Sequence, residues 1–192
     1  MKDLLYIDAC IRDSQSRTKQ IAEPILAALS ERYRVTRLTL NDLPLEIVDK
    51  DLLARRQAGD IPAQVLEWAN AVRTADRIVI AAPFWDMSIP AALKNFLELC
   101  SIFDVTFGSD DKTCYGLCRA EKLLFITTRG MDIPTGHPLE QATSYLKALS
   151  WLWGIGPLEV VAAQNLDYLP ESEIRNRIRT AVALGLEIAE TF

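Results

Sequence analysis

The sequence predicts an α/β fold, a parallel β-sheet with helices on both faces. Three observations support this prediction. Strand-like apolar runs alternate with amphipathic helical stretches along the whole chain. Two of the runs, residues 77–82 and 122–128, lack the alternation of a half-exposed strand, which is typical of strands covered on both faces. The connections are long enough to contain helices, as right-handed crossovers between parallel strands require.

The predicted elements follow in order along the chain. Apolar residues at helical spacing, such as Ile21, Ile25 and Leu29, define the first helix. The predicted strands are 4–9, 33–40, 77–82, 122–128 and 158–163, and the predicted helices are 16–31, 62–74, 90–103, about 138–153 and 171–190. The polar passage between 40 and 62 receives no element. Residues 104–121 form a polar excursion, which is predicted as a hairpin outside the sheet.

Length and composition favour one globular domain, residues 1–192. The chain has 49% hydrophobic and 24% charged residues, and no Pro/Gly/Ser-rich linker divides it. A net charge of −5 argues against nucleic acid as a partner. The first eight residues lack the long apolar stretch of a signal peptide or a membrane span. We therefore expect a cytoplasmic protein.

The cysteine and histidine content restricts the available chemistry. Cys10, Cys100, Cys114 and Cys118 do not form a dense framework, so free thiols are expected. With His137 as the only histidine, no metal site is predicted, and a Ser-His-Asp or Cys-His centre is disfavoured.

Three loops are predicted to meet where the strand order reverses, at the carboxyl edge of the sheet. They are residues 9–17, 83–89 and 128–137. The first carries hydroxyls at Ser14, Ser16 and Thr18 where a helix opens, which suits either a phosphate or an ordinary helix cap. It lacks the glycine-rich patterns of nucleotide-hydrolysing and Rossmann-type proteins. Six residues lie between its Cys10 and Arg17, whereas five lie between the cysteine and the arginine of a phosphatase loop.

The second of these loops is aromatic. Pro83 ends the strand ladder, and Phe84, Trp85 and Met87 place adaptable apolar surface beyond it. These side chains could stack on a flat ligand or pack against a neighbouring helix. A first loop that suits a phosphate, an aromatic second loop that suits a flat ring and the polar segment 128–130 together favour flavin mononucleotide, FMN, as the ligand.

The same loops carry a family resemblance. The segments Ser14-Gln15-Ser16-Arg17, Pro83-Phe84-Trp85-Asp86-Met87-Ser88-Ile89-Pro90 with Leu93-Lys94-Asn95-Phe96, and Thr127-Thr128-Arg129-Gly130 resemble the FMN-dependent NADH-azoreductase and NAD(P)H:quinone oxidoreductase family of flavodoxin-like proteins. The likeness spans nearly the whole chain. It implies a flavodoxin-like three-layer sandwich with a five-stranded parallel sheet in the order 2-1-3-4-5, and a homodimer whose interface completes the two active sites.

The resemblance also implies the cofactor and its contacts. FMN would be bound without a covalent link, and flavin N5 would carry the chemistry, so no dedicated catalytic residue is required. The phosphate would be held by Ser14, Gln15 and Ser16 with support from Arg17 and Thr18; the ring would be lined by Pro83, Phe84, Trp85, Asp86 and Met87; and its polar edge would contact Thr128, Arg129 and Gly130. His137 is a further candidate near the substrate slot, or an exposed loop histidine.

Two positions depart from the family pattern. Asp86 stands where members often have Asn, and a carboxylate beside the ring would disfavour an anionic reduced flavin. Met131 stands where a second glycine often follows the first, which would narrow or cover the substrate slot.

The implied activity is two-electron, ping-pong hydride transfer from NADH or NADPH to a quinone, azo compound or related small aromatic acceptor. The alternative is a flavodoxin-like electron carrier or a regulatory protein without NAD(P)H turnover. The sequence leaves the physiological acceptor and the preferred nicotinamide open.

Overall fold

The computed structural model describes residues 1–192. The chain contains seven strands: β1 Lys2–Asp8, β2 Tyr33–Thr39, β3 Arg77–Ala81, β4 Phe107–Ser109, β5 Cys114–Gly116, β6 Lys122–Thr128 and β7 Leu158–Ala163. Its six α-helices are α1 Arg17–Ser30, α2 Lys50–Gln57, α3 Ala63–Thr74, α4 Ala91–Cys100, α5 Gln141–Trp153 and α6 Glu171–Thr191. None of these helices combines the length and the apolar character needed to cross a membrane.

Five strands form one parallel sheet in the order β2-β1-β3-β6-β7. Counted along this sheet alone, that is the predicted order 2-1-3-4-5, and the prediction is confirmed. The order reverses between β1 and β3, which pair directly, with Asp8 opposite Ala81 at their carboxyl ends. Strands β4 and β5 pair only with each other, as an antiparallel hairpin outside the sheet.

Both faces of the sheet are covered by helices. On one face, Leu4, Tyr6 and Val79 pack with apolar residues of α1 and α6. On the opposite face, the intervening side chains, such as Leu5 and Ile78, pack with apolar residues of α3, α4 and α5. Successive side chains of a buried strand point to opposite faces of the sheet, so the strands contribute to two hydrophobic cores. The carboxyl edge of the sheet, between these cores, remains available for loops.

The structure corrects the predicted elements at three places. Helix α2 lies in the polar passage to which no element was assigned. This helix was not predicted because Leu52 is its one buried side chain, so its sequence lacks the apolar stripe of an amphipathic helix. Helix α4 ends at Cys100 rather than 103, and α5 begins at Gln141 rather than about 138. Helix α4 ends because Ser101 leaves the helical conformation, with ψ of 80°, and α5 begins where the Glu140 carboxylate accepts from the Thr143 N–H. Apolar periodicity indicates neither boundary.

Candidate functional site

A cavity of about 300 Å³ opens at the carboxyl edge of the sheet, where the strand order reverses. Four loops contribute its walls, one each from the ends of β1, β3, β6 and β7. The lining residues are Ile11, Arg12, Gln15, Ser16, Arg17, Thr18, Pro83, Phe84, Trp85, Thr128, Arg129, Gly130, Leu166 and Asp167. The cavity therefore lies where open α/β sheets bind their ligands.

Direct hydrogen bonds join these loops into a ring around the cavity. The Thr18 and Thr128 hydroxyls lie 2.6 Å apart, and the Phe84 N–H donates to the Thr128 carbonyl at 3.0 Å. The Asp167 N–H donates to the Gly130 carbonyl at 3.1 Å, and the Arg17 guanidinium donates to the Asp167 carboxylate at 3.0 Å. Each loop is thus held by its neighbour, which pre-organises the walls before any ligand arrives.

The first loop presents hydrogen-bond donors to one end of the cavity. Ser16 is the N-cap of α1, and its hydroxyl accepts from the Lys19 N–H at 3.3 Å. Gln20 donates the first bond of the helical ladder to the Ser16 carbonyl. The N–H groups of Arg17 and Thr18 therefore have no acceptor within the helix. Ser16 is both a cap and a cavity wall, so the two interpretations of this loop are compatible.

The cationic side chains around this end differ in whether they already have a carboxylate partner. Arg17 donates to the Leu166 carbonyl and to Asp167, both at 3.0 Å. Lys19 lies between the carboxylates of the buried Asp8, at 3.3 Å, and the exposed Asp13, at 2.6 Å. Arg12 is exposed, lines the cavity and makes no ion pair. An anionic ligand would therefore meet Arg12 as a free cation and Arg17 as a cation already paired.

An aromatic wall forms the opposite side of the cavity. Trp85 and Ser88 exchange backbone hydrogen bonds of 3.0 and 2.8 Å across a two-residue turn. The turn residues Asp86 and Met87 have φ of 47° and 66°, as a type I′ turn requires. Trp85 also borders a second groove of about 770 Å³, in which Asp86, Lys94, Gln141 and Tyr145 are among the lining residues. Trp85 thus separates two adjoining spaces.

The loop after β6 packs tightly against the loop after β7. A β-carbon at Gly130 would lie 1.9 Å from an Asp167 carboxylate oxygen, so only glycine permits this approach. Arg129 is fully buried, and its guanidinium donates to the Ile133 carbonyl and to the Thr135 hydroxyl, both at 3.0 Å. The guanidinium is therefore held by the carbonyl and hydroxyl groups of its own loop.

The structure brings most of the predicted site residues together. The ten that line the cavity are Gln15, Ser16, Arg17, Thr18, Pro83, Phe84, Trp85, Thr128, Arg129 and Gly130. Ser14 is exposed on a short 3₁₀ turn outside the lining, Asp86 faces the second groove, and Met87 lines neither space. His137 is exposed and also lines neither, with its Nδ1 accepting from the Leu139 N–H.

Sequence reasoning missed four lining residues. Ile11 and Arg12 lie in the first loop, and their positions beside Ser14 and Ser16 were the available signal. Leu166 and Asp167 belong to the loop after β7, which was not among the three loops considered. Their only signal in the sequence was that this loop also follows a strand of the parallel sheet at its carboxyl end.

The cavity does not support the chemistry of a phosphatase loop. Burial raises the pKa of the Cys10 thiol to about 12, and the thiol lies 3.7 Å from the Ala81 carbonyl. A protonated, buried thiol is not a nucleophile. No group of three or more His, Cys, Asp or Glu side chains in the structure could hold a metal ion.

Fold and site together define a doubly wound α/β protein with a ligand cavity at the switch point of its sheet. One end of the cavity presents hydrogen-bond donors that suit an anion, and the other end is an aromatic wall. A family model described as flavodoxin-like fold matches residues 2–184. The chain belongs to this family of flavodoxin-like proteins.

Individual relatives resemble the chain over its whole length. An FMN-dependent NADH:quinone oxidoreductase of Caldicellulosiruptor saccharolyticus is 29% identical over 202 residues, covering all of both chains. One of Clostridium perfringens is 27% identical over 196 residues, covering 96% of this chain and 98% of the relative. Two solved structures share the fold. An azoreductase of Bacillus anthracis has a TM-score of 0.88 at 21% identity, covering all of both chains. An FMN-dependent NADH-azoreductase of the same species, in complex with FMN, has a TM-score of 0.83 at 22% identity, covering 98% of this chain and all of that one.

Proposed function

We propose that this protein is an FMN-dependent NADH oxidoreductase that passes two electrons to quinone or azo acceptors. The observation that carries the proposal is the single cavity that joins an anion site to an aromatic wall at the switch point of a flavodoxin-like sheet. The full-length relatives named for this activity support it.

The donors at the cavity fit FMN. A phosphate would be held by the unpaired N–H groups of Arg17 and Thr18, by the Gln15 amide, by the Ser16 hydroxyl and by Arg12. Phe84 and Trp85 would lie against the flavin ring, and the polar Thr128 and Gly130 backbone would face its edge. When bound, FMN supplies hydride acceptance and two-electron transfer.

The residues of the chain orient the reactants and exclude water. The ring of inter-loop hydrogen bonds fixes the distance between the anion site and the aromatic wall, so a ligand held at one end is placed at the other. No side chain at the cavity is required to move a proton, because protons can come from solvent. This fits the position of His137, the one histidine, which lines neither space.

The direct test is to purify the protein, add FMN and measure binding by quenching of flavin fluorescence, then to follow NADH oxidation with a benzoquinone acceptor. We expect tight, stoichiometric FMN binding and steady turnover that requires both NADH and quinone. A protein that does not bind FMN would refute the proposal. A protein that holds FMN but oxidises NADH no faster than free FMN would instead be an electron carrier or a regulatory protein.

Ser16→Ala should affect stability and cofactor affinity together. The loss of the α1 cap is expected to lower the free energy of unfolding by about 1 kcal/mol. Loss of the hydroxyl should weaken FMN binding by several-fold, because the backbone donors remain. Urea unfolding and FMN titration measure the two effects.

The matched control is Ser14→Ala, since Ser14 is exposed and outside the lining. We expect it to change both quantities less than Ser16→Ala does. An equal loss of FMN affinity in the two variants would show that the first loop rearranges on binding.

We further propose that the protein works as a homodimer in the cytoplasm, with NADH as donor and NADPH as an alternative. Exposed apolar side chains on the loops around the cavity support a partner that covers its mouth: Ile11, Trp85, Met87, Met131 and Leu139. Free cysteines fit a reducing compartment.

The oligomeric state is measured by sedimentation velocity, where we expect a mass of twice 21.5 kDa. Met87→Asp should shift the equilibrium toward monomer, whereas Leu184→Asp, on an exposed position of α6, should not. A monomeric wild-type protein would contradict the dimer.

A further inference from the structure

A buried ion pair lies behind the aromatic wall, at the base of the loop between β6 and α5. Arg129 and Glu140 both have no exposed surface, and an Arg129 guanidinium nitrogen lies 3.8 Å from Glu140 Oε1. Burial lowers the pKa of the Arg129 guanidinium, and the Glu140 carboxylate opposes that shift. Each charge is costly to bury alone, so each depends on the other.

The guanidinium links this pair to the wall of the cavity. Its central carbon lies 5.7 Å from the centre of the Phe84 ring, within the range of a cation–π contact. Its two terminal nitrogens donate to Ile133 and Thr135, which closes the loop on itself. The position of Phe84 therefore depends on where the guanidinium is held.

The carboxylate links the same pair to the tryptophan turn. Glu140 Oε1 accepts from the Thr143 N–H at 3.0 Å and so caps α5. The next residue, Gln141, donates its N–H to the Met87 carbonyl at 3.0 Å. The turn that carries Trp85 contains two non-glycine residues with positive φ, and such backbone persists only where its surroundings hold it.

We propose that Glu140 is a positioning residue for the cofactor site. Through Arg129 it holds the Phe84 ring, and through the first turn of α5 it holds the Trp85–Ser88 turn. A single carboxylate, outside the cavity lining, thereby sets both parts of the aromatic wall. The proposal rests on the proposed function for its effect on FMN, but its effect on the wall can be measured without any ligand.

The deciding variant is Glu140→Gln, which keeps the volume and a cap acceptor but removes the charge. Its matched control is Asp49→Asn, the same carboxylate-to-amide change on the N-cap of α2, which lines neither cavity. Glu140→Ala extends the series if Glu140→Gln is fully folded. Hydrogen exchange of the backbone amides of Trp85, Ser88 and Gln141 reports on the wall in the ligand-free protein.

We expect those three amides to exchange at least fivefold faster in Glu140→Gln than in the wild type. In Asp49→Asn we expect them to exchange at the wild-type rate. With FMN, we expect an affinity about tenfold weaker and an altered visible circular dichroism spectrum of the bound flavin. Unchanged exchange at all three amides, or equal acceleration in the two variants, would overturn the positioning role. Failure of the wild type to bind FMN would refute the proposed function alone, since the exchange result stands without it.

Discussion

Trp85→Ala is expected to lower the turnover of NADH at saturating quinone by about tenfold or more, because the wall that orients the reactants is lost. Trp85 is 37% exposed and borders both the cavity and the second groove. Its backbone bonds to Ser88 do not require the side chain. We therefore expect the free energy of unfolding to fall by about 1 kcal/mol or less.

Steady-state kinetics and urea unfolding separate the two effects. Trp151→Ala is the matched control, because Trp151 is 69% exposed on α5 and lines neither space. It should leave both turnover and stability near those of the wild type. A Trp85→Ala protein that unfolds easily yet keeps its turnover would show that Trp85 serves the core rather than the site.

Those parts of the fold that bury continuous apolar surface were predictable from the sequence. Strands β3 and β6 are buried from end to end apart from Lys122, because helices cover both faces, and their unbroken apolar runs follow from that position. The convergence of the loops after β1, β3 and β6 follows from parallel strands and a reversal of order. The loop after β1 and the aromatic turn could be placed at this edge of the sheet on that basis.

Contacts between residues far apart in the chain were not predictable. Asp167 lies at the cavity with its carboxylate against Gly130, where a β-carbon would collide with it, and nothing near Asp167 in the sequence predicts this contact. Arg129 suggested a ligand contact because it is an arginine beside a glycine after a strand. Its fully buried counter-ion, Glu140, lies eleven positions later in the sequence. The two side chains meet only through the folding of the loop between them, so the pair could not be recognised without the structure.

A second buried charge lies under the loop after β1. Asp8, at the end of β1, is 1% exposed; its Oδ1 accepts from the Cys10 N–H at 3.0 Å, and its Oδ2 has no hydrogen bond. The cation nearest to Oδ2 is Lys19, at 3.3 Å. Lys19 extends from the first turn of α1 and also binds Asp13 in the loop, so one ammonium group joins the strand, the loop and the helix.

Lys19→Met is therefore expected to lower the free energy of unfolding by about 3 kcal/mol, because it leaves a buried carboxylate without a counter-charge while keeping the aliphatic stem. The hydrogen bond that the Lys19 ammonium donates to Asp13 raises the pKa of Lys19. This stabilisation is thus complete at neutral pH and is lost only as the pH rises through the raised pKa of the folded state. FMN affinity should fall as well, since the loop that carries Gln15 and Ser16 loses its anchor.

A double-mutant cycle tests the cause. Adding Asp8→Asn to Lys19→Met removes the unpaired charge and should restore most of the lost stability, whereas two independent sites would give additive losses. Lys147→Met, on the exposed face of α5, controls for the loss of a lysine and should change stability by less than about 0.5 kcal/mol. Urea unfolding of the five proteins measures the coupling. Additive losses, or a Lys19→Met variant as stable as the Lys147→Met control, would show that water rather than Lys19 compensates the Asp8 carboxylate.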